Sequence, residues 1–131
     1  MRVWAIDEAA VVHALRAAGA RFAFAHGSRV TGEARPNSDL DVGAWWGNDA
    51  PDSWMVELPA YVDLVVLDTA PPWLAGRIAM YGRLMFDDDP PARVAWQADT
   101  RLTYLDDLPA VDARSREFMD RIAERARPRR G

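Results

Sequence analysis

The sequence predicts an α+β (α/β) fold, a small mixed β-sheet covered by helices. Three observations predict it. Short apolar runs bounded by Gly, Pro, Asn and Asp mark strands. Longer segments with apolar residues three and four apart mark helices. The two types follow one another as helix, strand, turn, strand, strand, helix, strand, helix, helix.

The first helix starts at Asp7, a side chain suited to capping free N–H groups. It carries Val11, Leu15 and Ala18 on one face and stops at Gly19. Arg21 to Ala25 is short and apolar, a buried strand that turns at His26-Gly27-Ser28. Residues 29–38 are polar, broken by Gly32, Pro36, Asn37 and Ser38, after one helical turn from Ser28. A second strand runs roughly from Asp39 to Trp46, and Gly47 to Ser53 is a loop. Tyr61 to Asp68 gives the strongest strand signal, β-branched and apolar on both faces except at Asp63. Pro71 and Pro72 suit the first turn of a helix that carries Trp73, Leu74, Ile78 and Met80 to Gly82. Arg83 to Phe86 is a short strand closed by Asp87-Asp88-Asp89, which reads as a solvated acidic loop. Asp68 is expected to cap the turn into the Pro71 helix. Two helices, about 91–107 and 109–126, complete the chain. The last places Val111, Ser115, Phe118, Met119 and Ile122 along one face, expected to dock on the sheet. Arg127, Arg129 and Arg130 form a basic end, expected to fray.

Composition narrows the chemistry. At 131 residues, half of them apolar, the chain is expected to form one domain, 1–131, with its core at about 7–90 and C-terminal helices at about 91–127. No apolar run approaches a membrane span, and Met1–Ala20 is too charged for a signal peptide, so a cytoplasmic location is expected. There is no Cys and no Lys, which excludes disulfides, thiolate metal sites, Schiff bases and a P-loop lysine. Two His cannot build a histidine cage, so a metal here needs oxygen donors, and the chain has 15 Asp against 5 Glu. The formal charge of −4 argues against direct nucleic-acid binding, although residues 109–131 hold 7 Arg and 4 acids.

The informative segment is His26-Gly-Ser-Arg-Val-Thr-Gly-Glu-Ala-Arg-Pro-Asn-Ser-Asp-Leu-Asp-Val-Gly43. After Gly27-Ser28 come ten residues and then Asp39-x-Asp41. On a strand those two carboxylates share a face, roughly 6.5–7 Å apart at Cα, and repel unless a cation sits between them. Carboxylate oxygens suit hard ions such as Mg²⁺. Asp63, read as buried among apolar neighbours, needs a metal, a donor or a raised pKa, and offers a third arm. Glycine lets a phosphate approach the backbone where a helical turn begins, and the serine adds a donor. A phosphate cradle facing three carboxylates fits metal-assisted attack on a nucleoside triphosphate.

Phe24 through Gly43, with Arg29, Gly32, Ala34-Arg35-Pro36 and Ser38-Asp39, resembles the DNA polymerase β-type nucleotidyltransferase superfamily, whose signature is Gly-Ser, a spacer and Asp-x-Asp. More narrowly it resembles the minimal nucleotidyltransferases (the MNT or MntA group), small proteins commonly paired with a HEPN-domain ribonuclease toxin. The Asp63 strand and Ile78 to Phe86 follow the same course, so the likeness covers about residues 7–90. It implies a polymerase β-like nucleotidyltransferase fold in which Asp39 and Asp41 bind two Mg²⁺ ions. Asp63 would complete the metal site and take or orient the proton of the attacking hydroxyl, and Gly27 and Ser28 would grip the triphosphate. It further implies an antitoxin that transfers AMP from ATP to a tyrosine of a HEPN-type toxin, within a hetero-oligomeric complex. Two alternatives are a small hydroxyl acceptor, such as an aminoglycoside, and an antitoxin that neutralises by binding alone.

Neighbouring residues carry plainer readings beside sharper ones. Arg29 is a candidate for the triphosphate oxygens through its guanidinium fork, and Arg35 a solvated loop residue. His26 reads as a half-buried strand-end histidine, and Ser38 as a turn cap. Trp45 and Trp46 face opposite ways, so at most one could stack a base, and both are expected to pack.

Overall fold

The computed structural model describes residues 6–27 and 39–126. Its elements are α1 (Glu8–Ala17), β1 (Phe22–His26), β2 (Leu40–Trp45), a 3₁₀ turn (Ser53–Met55), β3 (Val62–Val66), α2 (Pro72–Tyr81), β4 (Arg83–Asp87), α3 (Pro90–Asp106) and α4 (Leu108–Ala126). They follow the predicted order. The four strands form one mixed sheet in the order β3-β2-β1-β4. β1 runs antiparallel to β2 and β4, while β2 and β3 run parallel.

Alternation along the strands divides the core in two. Ala23 and Ala25 of β1, with Leu40, Val42 and Ala44 of β2, face Val11 and Leu15 of α1. On the opposite face Phe22 and Phe24 meet Ile78 of α2 and Leu67, with Trp45, Val65, Leu74 and Trp96 packed around them. Both tryptophans pack as expected. The Trp45 ring stacks on Phe22 at 5.0 Å between centroids, and buried Trp46 donates its indole N–H to the Ala18 carbonyl at 2.9 Å. The α2–α3 contact is close because Gly76 lacks a side chain: a Cβ there would lie 2.6 Å from the Tyr104 Cβ and Cγ. Asp7 caps α1 by accepting the Ala10 N–H at 3.1 Å.

Three expectations need correction. Asp68 does not cap α2, whose start is formed by Pro71 and Pro72 without a side-chain cap. Its two oxygens instead accept the backbone N–H groups of Trp46 at 3.0 Å and Gly47 at 2.7 Å, tying the end of β2 to the end of β3. Asp68→Ala leaves both donors without that partner and should lower stability by about 1–3 kcal/mol, read as a lower urea midpoint at unchanged slope.

Nor is Asp87-Asp88-Asp89 a loosely solvated run. Asp87 pairs with Arg93 at 2.9 Å, Asp88 with Arg16 at 2.7 Å and Asp89 with Arg21 at 3.1 Å. Asp89 also caps α3 through the Ala92 N–H at 3.2 Å. These carboxylates are committed to arginines, which removes them as metal ligands.

Finally, α4 does not dock on the sheet. Phe118, Met119 and Ile122 are exposed, because α1 already covers one sheet face and α2 with α3 cover the other. Among the described residues no helix is long and apolar enough to cross a membrane.

Candidate active site

Register brings two of the predicted residues, Asp41 and Asp63, to one end of the sheet. His26 closes β1 opposite Asp41 near the start of β2, and Asp41 pairs in turn with Asp63 near the start of β3. Residues paired in register share a face, so the three side chains leave neighbouring strands on the same side. It is the face that farther along holds Phe24, Gly43 and Val65. Asp39 stands two residues before Asp41, just outside the strand, and is exposed.

Gly27 follows β1 with φ +82°, in the left-handed region where glycine alone is unstrained. A Cβ on it would overlap the Asp41 Oδ2 and lie 3.2 Å from its Cγ. The bend of β1 is thus pressed against the Asp41 carboxylate. Gly27→Ala should cost roughly 1–3 kcal/mol, visible as a lower melting temperature, since it combines backbone strain with displacement of Asp41. Ser28 and Arg29, like Arg35 and Ser38, lie outside the described residues.

Electrostatics confirm that the carboxylates sense one another. The half-buried Asp41 carboxyl is pushed above the ordinary carboxylate range, first by burial, then by the charges of Asp63 and Asp39. Burial pushes the His26 imidazole below its usual value, against the opposing pull of Asp63 and a backbone hydrogen bond to Val42. His26 is half-buried, as expected at a strand end, and its Nε2 is buried with no partner among the described residues.

Asp63 departs from expectation in one respect. It is exposed rather than buried, because β3 is the edge strand and its first residues stand at an open corner of the sheet. The cost of an unpaired buried charge therefore does not apply to it. Its place beside Asp41 does. Among the described residues no three acids or histidines converge as a ready cation cage. The donor chemistry, carboxylate oxygens on two adjacent strands, is that of a hard divalent ion. The sequence reading did not single out Trp54 and Met55, which lie beside β3 and are 80% and 59% exposed. A tryptophan directly after the loop Gly47 to Ser53 was the available signal.

No protein-family model and no curated protein matches the chain. Solved structures do. A chain of a toxin–antitoxin structure with AMP-PNP matches with a TM-score of 0.66 at 20% identity, over 90% of this chain and 99% of that one. A chain of the MntA–HepT toxin–antitoxin matches at 0.56 and 17% identity, over 88% and 96%. A third comes from the tri-AMPylated Shewanella oneidensis HEPN toxin in complex with MNT antitoxin, at 0.59 and 18% identity, over 88% and 95%. At these identities the likeness establishes a shared fold, over nearly the full length of each chain.

Proposed function

We propose that the chain is a Mg²⁺-dependent nucleotidyltransferase that moves AMP from ATP onto a tyrosine hydroxyl of a HEPN-type toxin and so silences it. The observation that carries this reading is the register of Asp41 and Asp63 on adjacent parallel strands, with Gly27 pressed against Asp41. Its support from the comparisons is that similar chains come from complexes of MNT antitoxin with HEPN toxin, one with AMP-PNP and one with a tri-AMPylated toxin.

In this reading Asp39, Asp41 and Asp63 hold two Mg²⁺ ions, which when bound supply neutralisation of the triphosphate charge. Gly27 and Ser28 bring backbone N–H groups and a hydroxyl to the phosphates, and Arg29 adds a guanidinium fork. Asp63, exposed at the open corner, is placed to meet an acceptor from solvent. The acceptor oxygen attacks the α-phosphorus, a new O–P bond forms, and the bond from that phosphorus to the bridging oxygen breaks. The proton passes to the Asp63 carboxylate and pyrophosphate leaves. The protein works as a subunit of a complex with its toxin, away from membranes.

The experiment is label transfer from [α-³²P]ATP to a co-purified HEPN-type toxin. Label on the toxin with Mg²⁺ and none with EDTA is expected. Protection from the toxin with no label transferred would replace catalysis with neutralisation by binding alone.

A further inference from the structure

The outer flank of β3 carries a feature the nucleotide chemistry does not use. Leu40 donates its N–H to the Tyr61 carbonyl and Leu67 donates to the Ala44 carbonyl, both at 2.8 Å. With the in-register pairing between them, these bonds fix the phase: odd-numbered residues of β3 turn their backbone groups to β2. The Leu64 N–H and carbonyl, the Val62 carbonyl and the Val66 N–H therefore point to the free edge. Among the described residues no backbone group pairs with Leu64 on that side. Two grooves lie against this edge, of about 350 and 270 Å³, and both include Ser53, Trp54 and Leu64. The smaller one reaches Asp63 and passes the side chains of Val56, Leu58 and Val62.

We infer that the open edge of β3 beside Trp54 docks an extended polypeptide segment of the acceptor by strand addition, with its hydroxyl-bearing residue beside Asp63. This rests on the nucleotidyltransferase reading and gives it an acceptor site. Exposed strand edges recruit extended peptides through main-chain hydrogen bonds, while alternate side chains enter flanking pockets. Exposed tryptophan is the residue type that anchors such contacts. Three features select a polypeptide of stated chemistry. The groove is continuous with Asp63, so a bound segment passes the attacking position. Together the two grooves follow β3 from Val62 to Val66, along the whole strand. Residues 47–63 contain Asp49, Asp52, Glu57 and Asp63 and no basic residue, so the segment is expected to carry Arg or Lys near its hydroxyl.

The test uses the full chain with Mg²⁺, [α-³²P]ATP and a panel of tyrosine-centred 12-residue peptides with basic flanks. Trp54→Ala should raise the KM for a labelled peptide at least ~10-fold. Trp73→Ala, a partly exposed tryptophan on α2, is the control and should leave it unchanged. N-methylation along the peptide should block labelling at every second residue, the signature of a paired strand. Peptide labelling insensitive to both Trp54→Ala and N-methylation overturns the docking site and keeps nucleotidyl transfer. Label on a folded toxin with none on any peptide does the same. If the wild-type chain labels neither toxin nor peptide, the nucleotidyltransferase reading itself falls, and this inference with it.

Discussion

Asp39→Asn combined with Asp41→Asn should reduce AMP transfer by at least ~10³-fold while melting temperature in metal-free buffer holds or rises. The two effects have one cause. Asp41 stands half-buried between Asp39 and Asp63, and burial and both charges oppose its ionisation. Its carboxyl therefore binds a proton more tightly in the native state than in the unfolded chain, where the value is about 3.9. Stability falls as pH rises from that value to the raised native one. At neutral pH the ionised side chain is a standing cost to the fold. An amide carries no charge, so the variant should gain on the wild type as pH rises above about 4 and match it below. Differential scanning of both proteins from pH 3 to 8 checks the sign. A variant that melts far below the wild type at pH 7 would make these aspartates structural.

Asp63→Asn has the second largest expected effect, a fall of about 10²–10⁴ in kcat with little change in KM for ATP. Asp63 touches the acceptor's proton rather than the phosphates in this account, so the loss belongs to the chemical step. A phenolic acceptor ionises by itself near pH 10, so the deficit should narrow as pH is raised from 7 toward 9.5. Steady-state kinetics across that range decide the role. A constant deficit at every pH, or a matching rise in KM for ATP, would move Asp63 from proton transfer to nucleotide binding.

Local pattern was enough for the order of the elements and for the glycine bend at the end of β1. The apolar run of β1 and the β-branched run around Asp63 are properties of short segments. The glycine of Gly27-Ser28 was legible because a left-handed bend tolerates little else. What escaped depends on neighbours distant in sequence. Nothing around Asp63 reveals that its strand takes the sheet edge, so its exposure could not be read from its apolar flanks. The partners of Asp88 and Asp89, Arg16 and Arg21, are about seventy residues away, and no spacing rule connects them. Asp68 looked like a helix cap because the helix follows it, yet the N–H groups it accepts belong to Trp46 and Gly47, just past the end of β2. The α4 stripe has the form of a docking face, and only the finished sheet shows that both of its sides are already covered.

One measurement bears most directly on the proposal that Asp39, Asp41 and Asp63 hold metal beside Gly27. Crystals grown with Mn²⁺ and a non-hydrolysable ATP analogue, examined by anomalous scattering, should show metal about 2.1 Å from oxygens of Asp39 and Asp41, with the phosphates against Gly27. Metal bound at Asp87 to Asp89 with Asp39 and Asp41 bare, or the analogue seated on another face of the sheet, would contradict it.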